Sequence, residues 1–375
     1  MVLSLPRAAL HNKRSSIPIS ALVMAFLLFG LVACSSKLER SAASLSFSRT
    51  DCKRVTVYVS TVRAPADDSG TTFTSGYSPH LRFVKHVISI PPTHKANLVE
   101  WPSAPPDPAK EFVTLTSRSL TADEFYSAIV SANRIPSVRL FVHGYNNTYQ
   151  ESVYRLAQLA ADSHDGQTAV LFAWPSHGNA LSYSTDRRAA LASTAGLAET
   201  IEILVQGGKI KVSLLAHSMG AWLAMETLSG LSRTSRLQVA RRLDNIVLAA
   251  PDIDTNDMIR QLNTIGRLAH PLNLLVSGDD EALAVSRIIT GGQRVGADDV
   301  YNPWVKTAAM RYGARVIDIS ELSASDSFRH SRFTAMVSLY SKFHNQIDDQ
   351  SATKYAGPGT YVFHVATAQL EPTDQ

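Results

Sequence analysis

The sequence predicts an α/β fold in which one mostly parallel sheet carries helices on both faces. Beyond about residue 137, short apolar runs alternate with segments whose apolar residues recur at helical spacing, such as residues 148–163. The runs are apolar throughout, as strands must be when helices cover both of their faces. Strands that alternate with helices form parallel sheets through right-handed crossovers. The predicted strands are SVRLFVHG (137–144), TAVLFAWP (168–175), KVSLLAHS (211–218), NIVLAAPD (245–252), LNLLVSGDD (272–280) and RVIDIS (315–320).

The segment before these strands predicts an antiparallel edge to the sheet. Residues 54–62 alternate polar and apolar positions and indicate a strand, and residues 81–90 and 112–116 indicate two more. The proline-rich stretch at 101–108 is incompatible with regular structure. The chain shows neither an internal repeat nor a second apolar core, so we expect a single domain over residues 54–375.

The N-terminal residues predict export and lipidation. Residues 1–33 hold three basic residues, no acidic residue and then an apolar stretch, which is the layout of a secretory signal peptide. The stretch ends in LVACSS, which resembles the bacterial lipobox, so we expect Cys34 to be lipidated and to become the mature N-terminus. Residues 34–53, rich in Ser and Ala, would form a flexible tether. The protein would then be anchored to a membrane of the bacterial cell envelope and face away from the cytoplasm. The alternatives are an uncleaved membrane anchor and a plain signal with an incidental Cys34.

Composition excludes several classes of function. The formal net charge is +4, and three of the basic residues lie in the first 33, so the rest of the chain is nearly neutral. Nucleic-acid binding needs a basic surface that neutralises phosphates, and we therefore expect no nucleic-acid partner. Cys52 is the only cysteine besides Cys34, so the fold does not depend on an intrachain disulfide. No Cys/His cluster has zinc-ligand spacing, and we expect neither a metal nor an organic cofactor.

The stretch LLAHSMGAW, residues 214–222, holds the clearest candidate for a nucleophile. A strand, a tight turn and a helix around a serine flanked by small residues form a nucleophile elbow, which projects the serine oxygen from the sheet edge. Ser218 occupies the serine position, and Ala216 and Gly220 are the small residues on either side. The alternative is that Ser218 only caps the following helix, a common role for serine at that position.

Backbone amides at the same sheet edge are expected to hold an oxyanion. The amide of Met219 would lie at a helix N-terminus, where the helix dipole favours a developing negative charge. The amide of Tyr145 follows Gly144, whose missing side chain lets the backbone approach a substrate closely. Residues at these strand ends are candidates for lining the pocket, although a packing role fits His143 equally well. The pocket candidates are His143, Gly144, Trp174 and His217.

A nucleophilic serine needs a histidine base and an acid that orients the base. His270 precedes a strand and would lie at the wrong edge of the sheet, and His344 falls in the predicted helix MVSLYSKFHNQI. His330 follows the last predicted strand in the polar stretch SASDSFRHSRF, from which a histidine can reach the sheet edge. Four aspartates follow the two preceding strands, and the residues alone leave the choice of acid open. They are Asp252, Asp254, Asp279 and Asp280.

Five stretches, in order along the chain, resemble a bacterial family of esterase/lipase-like α/β-hydrolases of largely uncharacterised function. They are LFVHGYNNTYQESVYRLAQL, VLFAWPSHG, LLAHSMGAWLAMETL, NIVLAAPDID and DDEALAVSR, within about residues 110–345. The resemblance implies the α/β-hydrolase fold and a catalytic triad of Ser218, Asp280 and His330. The family pattern selects Asp280 because it has an aspartate directly before a charged residue, Ala and Leu. The family usually has an aromatic residue two positions after the histidine, where this chain has Arg332.

The other aspartates are expected to serve the structure, with Asp279 shaping its turn and Asp252 capping the helix that begins near Thr255. We expect no large cap domain, because only about twenty residues separate Asp252 from the next predicted strand. Residues 176–196 and 290–304 are polar and contain glycine, so we expect them to be mobile loops near the site.

Together these features predict a serine hydrolase that cleaves carboxylic esters, with small to medium acyl groups favoured by the missing cap. The substrate partner would be a small-molecule ester, and the lipid anchor would provide the membrane contact. A triad alone does not distinguish esters from amides, so a peptidase or amidase is the alternative within enzymes. A non-catalytic envelope scaffold that retains the hydrolase fold is the alternative outside them.

Overall fold

Ten strands form one sheet in the computed structural model, which describes residues 52–132, 135–266, 268–298, 303–337 and 362–364. Each stretch that the sequence predicts to be a strand contributes to the sheet, and the described residues all belong to the unit formed by residues 41–375. The strands are β1 Lys53–Pro65, β2 Phe73–Ile90, β3 Val113–Leu120, β4 Ser137–Val142, β5 Thr168–Ala173, β6 Lys211–His217, β7 Leu243–Ala249, β8 Leu272–Val276, β9 Ala314–Asp318 and β10 Val362–His364.

The strand order places the predicted site residues at one edge of the sheet. The order is β10-β9-β8-β7-β6-β4-β5-β1-β2-β3. β1 pairs antiparallel with β2, and β2 with β3, which is the antiparallel edge that the sequence predicts. All other neighbouring pairs of these strands are parallel. The carboxyl ends of parallel strands meet at the same edge, so the residues that follow β4, β6, β7 and β8 come together there.

Helices connect the strands and cover the sheet. The clearest helix signal in the sequence, at residues 148–163, is a helix whose N-cap Thr148 and Glu151 form a capping box. The helices of the described residues are α1 Ala122–Ala132, α2 Tyr149–Ser163, α3 Tyr183–Ala192, α4 Thr194–Val205, α5 Met219–Gly230, α6 Arg233–Ala240, α7 Thr255–Ile265, α8 Glu281–Thr290 and α9 Pro303–Tyr312, with 3₁₀ turns at Gln206–Gly208 and Val295–Ala297.

The hydrophobic core lies in two layers, one on each face of the sheet. Along β4, Leu140 and Val142 point into the layer that contains α1, α4 and α5, whereas Phe141 points into the layer that contains α2. All three side chains are almost completely buried. A fully buried side chain of this size stabilises the fold by about 1.5–3 kcal/mol, so these strands need apolar residues at every position. The predicted α/β architecture, with helices on both faces, is confirmed.

The prediction of a mobile loop at residues 176–196 is wrong, because this segment contains α3 and the start of α4. The carboxylate of Asp186, within α3, is fully buried and holds the segment in place. It accepts hydrogen bonds from Ser176 Oγ at 2.5 Å, from the backbone N–H of His177 at 3.0 Å and from the ring of His177 at 2.7 Å. The polar residues that suggested a mobile loop therefore bond to one another and stabilise an ordered helical segment.

The other segments near the site agree in part with expectation. Between β7 and β8, α7 is the helix of the described residues, which leaves no room in that connection for a large cap domain. Of residues 290–304, the described part includes a 3₁₀ turn at Val295–Ala297 and the buried Arg294, so it is more ordered than a mobile loop.

Several predictions concern residues outside the described ranges. The signal peptide at 1–33, the lipidation at Cys34, nearly all of the tether at 34–53 and the helix around His344 belong to this group. Within the described ranges, no helix has both the length and the hydropathy that a membrane crossing requires.

The half-buried His94 ties the long connection between β2 and β3 to the C-terminal end of α2. His94 Nδ1 lies 2.8 Å from Glu100 Oε2, and His94 Nε2 lies 3.0 Å from Asp162 Oδ1. Asp162 Oδ2 also accepts from the backbone N–H of Asn97 at 2.8 Å. Both ring nitrogens of His94 can donate only when the ring is charged. Burial opposes that charge, but the hydrogen bonds and the charges of Asp162 and Glu100 outweigh it and raise the pKa of His94.

We predict that His94→Gln destabilises the protein more in mild acid than in base. A group whose pKa is raised by folding contributes its full stability below its unfolded pKa of about 6.5 and loses it as the pH rises through the folded value. Hydrogen bonds to charged groups are worth about 1.5–3 kcal/mol, so a loss of that order is expected near pH 5.5 and a smaller one near pH 9. Urea unfolding at both pH values measures this difference. The exposed His80 on β2 gives the control His80→Gln, and equal losses for His94→Gln at both pH values would contradict the prediction.

Candidate active site

Ser218 occupies a strained turn between β6 and α5. Its backbone angles are φ 55° and ψ −124°, a conformation that residues with a side chain rarely adopt. Its amide donates to the carbonyl oxygen of Ala249 at 2.9 Å, so the neighbouring strand β7 holds the turn. Within the described part of the chain, the Ser218 side chain makes no capping hydrogen bond to α5. The helix-cap alternative therefore gains no support, and the geometry is that of a nucleophile elbow.

Close backbone approaches surround this turn. A Cβ atom at Gly220 would lie 2.2 Å from the carbonyl oxygen of His143, so α5 passes β4 at a distance that only glycine allows. A Cβ atom at Gly144 would lie 3.1 Å from Ser218 Cβ and 2.7 Å from His217 Nδ1. The loop after β4 therefore lies directly against the elbow, as the oxyanion prediction requires.

His330 and Asp280 lie in contact at the same sheet edge. His330 Nδ1 is 2.7 Å from Asp280 Oδ2, and Asp280 is almost completely buried. Asp280 is also the N-cap of α8, because its Oδ1 accepts from the backbone N–H of Leu283 at 2.9 Å. One oxygen of the carboxylate is thus fixed by the helix while the other holds the imidazole. The carboxylate of Asp326 positions the His330 backbone by accepting from the N–H of His330 at 3.1 Å and of Ser331 at 2.6 Å.

The charges around His330 favour its protonated form. Burial opposes the charge, but the attraction of Asp280, its hydrogen bond and the charges of Asp326 and Asp252 outweigh burial and raise the pKa of His330. Because Nδ1 faces Asp280, the neutral ring carries its proton on Nδ1 and leaves Nε2 as the basic nitrogen. This is the tautomer that a general base for a serine requires.

His217 contacts the backbone of His330 and the ring of Phe333. The His217 ring stacks on Phe333 with centroids 4.3 Å apart, and its Nε2 lies 3.3 Å from the carbonyl oxygen of His330. Burial, followed by the positive charge of His330, lowers the pKa of His217 well below its usual value. The neutral ring can donate one hydrogen bond to His330, so His217 braces the loop that carries His330.

His143 and Trp174 are buried and pair with each other, which corrects their placement among the pocket-lining residues. Their rings stack with centroids 5.0 Å apart, and Trp174 Nε1 donates to the carbonyl oxygen of His143 at 2.7 Å. Burial and the charge of Arg63 lower the pKa of His143 to about 3. Side chains that are 1% and 0% exposed serve to hold the ends of β4 and β5 together.

The two residues whose amides are expected to hold an oxyanion are Met219, which directly follows Ser218, and Tyr145, which follows Gly144 in the loop against the elbow. Met219 is the first residue of α5, and the first N–H groups of a helix have no partner within the helix. The Tyr145 hydroxyl donates to the carbonyl oxygen of Ala180, and its ring packs edge-on against Tyr183 with centroids 5.4 Å apart. The segment that carries α3 therefore holds this loop from outside.

Arg332, where a family member would have an aromatic residue, forms an ion pair with Asp279. Its Nη2 donates to Asp279 Oδ2 at 3.0 Å, and its Nε donates to the carbonyl oxygen of Leu322 at 2.9 Å. The hydrogen bond from Arg332 holds the pKa of Asp279 far below its usual value. Asp279 is thus committed to Arg332 and to Arg329, which leaves Asp280 facing His330.

Asp254, and not Asp252 as expected, caps the helix that begins at Thr255. Asp254 Oδ1 accepts from the backbone N–H of Asn256 at 2.9 Å, because Asp254 directly precedes the first helical residue. Asp252 is instead buried and contacts Tyr183, Ser286 and Arg294.

Residues 121–347, which contain the elbow, Asp280 and His330, match a family described as "Alpha/beta hydrolase of unknown function (DUF900)". The match covers more than half of the chain. The chain belongs to this family. The DUF900 assignment agrees with the resemblance seen in the sequence, and the protein is an α/β-hydrolase, although the family description names no substrate.

Solved structures similar to this DUF900 protein include several hydrolases. A poly(3-hydroxybutyrate) depolymerase from Bordetella parapertussis is 13% identical, with 73% of this chain and 89% of that chain covered and a TM-score of 0.37. An acetylxylan esterase is 12% identical, with 56% and 98% covered and a TM-score of 0.33. A peroxisomal alpha-beta-hydrolase from Saccharomyces cerevisiae is 10% identical, with 85% and 83% covered and a TM-score of 0.28. No curated protein matches the sequence.

Metal-ligating side chains do not gather in the described part of this DUF900 protein. No group of three or more His, Cys, Asp or Glu side chains there could hold a metal ion.

We predict that Gly220→Ala destabilises the protein strongly. The new Cβ would collide with the backbone of His143, and overpacking of this kind costs about 1–3 kcal/mol or more. Gly230→Ala, at the other end of α5, is the matched control, because a Cβ there would meet nothing within 4 Å. Alanine at that position should raise stability by about 0.4–1 kcal/mol. Urea unfolding measures both variants, and equal stabilities would show that α5 does not pass β4 so closely.

Proposed function

We propose that this DUF900 protein is a serine hydrolase that cleaves carboxylic esters, with Ser218 as nucleophile, His330 as base and Asp280 as the acid that orients the base. The observation that carries the proposal is the 2.7 Å contact between His330 and Asp280 beside a strained, uncapped Ser218. The low pKa of the arginine-bound Asp279 and the buried contacts of Asp252 support the choice of Asp280 as acid.

In the proposed reaction, His330 Nε2 accepts the Ser218 hydroxyl proton as the serine oxygen attacks the acyl carbon. The carbonyl oxygen becomes an oxyanion, which the amides of Met219 and Tyr145 hold by hydrogen bonds. The imidazolium then gives its proton to the leaving alcohol, and an acyl-enzyme remains. Water repeats the sequence with His330 again as base, which releases the acid and restores Ser218. Asp280 stabilises the imidazolium and keeps its Nδ1–H in place.

The proposed substrates are esters of small to medium acyl groups, in preference to esters of long-chain acids. In the described residues the connection between β7 and β8 carries α7 and no further helix, so a large cap is missing where this fold often has one. The segment 176–192 lies against the loop beside the elbow, because the Tyr145 hydroxyl donates to the carbonyl oxygen of Ala180. Initial rates on p-nitrophenyl esters from acetate to octanoate measure the preference, and a maximum at octanoate would contradict it.

We predict that Ser218→Ala abolishes hydrolysis and labelling by a fluorophosphonate. Loss of a triad nucleophile lowers kcat by about 10⁶-fold in an efficient serine hydrolase. Because the Ser218 side chain does not cap α5, the variant should melt within a few degrees of wild type. Labelling that persists in Ser218→Ala would identify another residue as the nucleophile.

We predict that Asp280→Asn lowers kcat by about 10⁴-fold, because an amide presents the wrong partner to His330 Nδ1. Asp279→Asn is the matched control, since it changes the adjacent residue and should cost far less. Steady-state kinetics on one ester, with melting curves for both variants, make the comparison. If Asp279→Asn were the more damaged enzyme, Asp280 would not be the acid.

We further propose that the protein is attached to a bacterial envelope membrane through lipidated Cys34. Each buried acyl methylene contributes about 0.8 kcal/mol, so a multiply acylated N-terminus holds firmly. The expected result is detergent-phase partitioning that is lost in Cys34→Ala and kept in the control Cys52→Ala. Mass spectrometry that finds an unmodified Cys34 would refute the anchor and leave the hydrolase proposal intact.

A further inference from the structure

Asp252 is a buried carboxylate beside the site that the proposed reaction does not use. Its side chain, on a residue only 2% exposed, makes three side-chain contacts. Oδ1 accepts from Ser286 Oγ at 2.5 Å and lies 3.3 Å from Arg294 Nε, and Oδ2 accepts from the Tyr183 hydroxyl at 2.7 Å. A buried charge is tolerated only when it is paired and hydrogen-bonded, as it is here. We call these four side chains the Asp252 cluster.

Through Ser286, the Asp252 cluster holds the helix that carries the acid. Ser286 lies on the buried side of α8, and Asp280 caps the first turn of the same helix. One end of α8 is therefore fixed by the Asp280 cap, and the next turn is fixed by the bond from Ser286 to Asp252. A shift of α8 would move Asp280 relative to His330, because the carboxylate is part of the cap.

Through Tyr183, the same carboxylate holds the oxyanion loop. The Tyr183 hydroxyl is bound to Asp252, and the Tyr183 ring packs edge-on against Tyr145. The backbone amide of Tyr145 is one of the two proposed oxyanion donors. The position of this amide thus depends on a ring whose far end is bound to Asp252.

The Asp252 backbone is itself bound to the elbow. Its amide donates to the carbonyl oxygen of Ser218 at 3.3 Å. The preceding residue, Pro251, accepts from the amide of Gly296 at 3.0 Å, which ties this segment to the turn that follows Arg294. Asp252 is therefore connected to the nucleophile through its backbone and to the acid helix and oxyanion loop through its side chain.

We propose that Asp252 is a positioning residue of the site, whose carboxylate holds the Asp280 helix and the Tyr145 loop in register with Ser218. It does not replace Asp280 as the acid, since both of its oxygens are already engaged by the Asp252 cluster. The inference rests on the proposed function, because it assigns Asp252 to the same reaction.

The charge of Asp252 adds an effect that a purely structural role would lack. The negative charges of Asp280, Asp326 and Asp252 all raise the pKa of His330, and the His217 ring lies against the His330 ring with centroids 4.6 Å apart. Removing one of the three negative charges should lower the pKa of His330. The neutral, basic form of His330 would then persist to lower pH. The acid limb, which is the fall of kcat/KM with decreasing pH, would therefore also move to lower pH.

The test compares three variants with wild type on one ester. Asp252→Asn should lower kcat by about 10²-fold, the effect of misplacing reacting groups by about 1 Å, with little change in KM, and should shift the acid limb to lower pH. Tyr183→Phe and Ser286→Ala each remove one hydroxyl and should lower kcat by about tenfold without moving the limb. Asp162→Asn is the matched control, since it neutralises a buried aspartate at the opposite edge of the sheet and should reduce stability while kcat and the limb stay unchanged.

Coupling between the variants tests whether the two hydroxyls act through Asp252. In an Asp252→Ala background, adding Tyr183→Phe or Ser286→Ala should change kcat by less than about twofold, because residues that share one partner are not additive. Full additivity would overturn the proposal, and so would wild-type kcat and acid limb in Asp252→Asn. Because the two hydroxyl deletions are mild, they test the proposal even if the Asp252 variants fold poorly.

A measurement that does not depend on activity, the pKa of His330, separates this inference from the proposed function. If Ser218→Ala retained full hydrolysis, the proposed function would fail by itself. An NMR titration of His330, assigned with His330→Gln, would still show a lower pKa in Asp252→Asn if Asp252 acts on that ring. An unchanged His330 pKa would overturn the inference whatever the outcome for Ser218.

Discussion

A side chain at position 220 would collide with the carbonyl group of His143, and this steric constraint determines how the site is assembled. Because α5 can pass so close to the end of β4, it begins immediately after Ser218 and within reach of the loop at Gly144. The turn between β6 and α5 has no spare residue to relieve its strain, so Ser218 adopts a positive φ. The close packing of helix and strand therefore requires the serine conformation that catalysis would use.

The carboxylate of Asp280 has two roles, because it caps α8 and also contacts His330. A carboxylate without a second partner could rotate among several side-chain conformations, and only some of these would contact His330. Here the capping bond to Leu283 leaves Oδ2 with one direction, which is toward His330. The rigidity of α8 is thereby transmitted to the imidazole. The neighbouring Asp279 cannot compete for that imidazole, because Arg332 and Arg329 occupy it.

Much of this arrangement could be predicted from the sequence because it depends on local patterns. The apolar runs identified β4 to β9, and the small residues around Ser218 identified the elbow. Predictions failed where the outcome depended on a shift of one or two residues or on contacts distant in sequence. Asp254 caps α7 in place of Asp252 because the helix begins only at Thr255, and helix ends are poorly specified by local sequence. The roles of Tyr183, Ser286 and Arg332 had no sequence signal, since their partners lie 34 to 103 residues away. Asp326 could have been found, because an aspartate four residues before His330 is suited to binding the backbone of the turn.

The segment that carries α3 is bound to the site at two points, through the Tyr145 hydroxyl to Ala180 and through the Tyr183 hydroxyl to Asp252. Displacing it to admit a bulkier substrate would break both bonds and release the loop that carries the Tyr145 amide. If the Tyr145 amide holds the oxyanion as proposed, substrate access and transition-state stabilisation both depend on the position of this segment. Under the proposed mechanism, loosening that segment to widen the substrate range would therefore also slow catalysis. Substitution of side chains on the segment would change specificity more readily than an increase in the mobility of the segment.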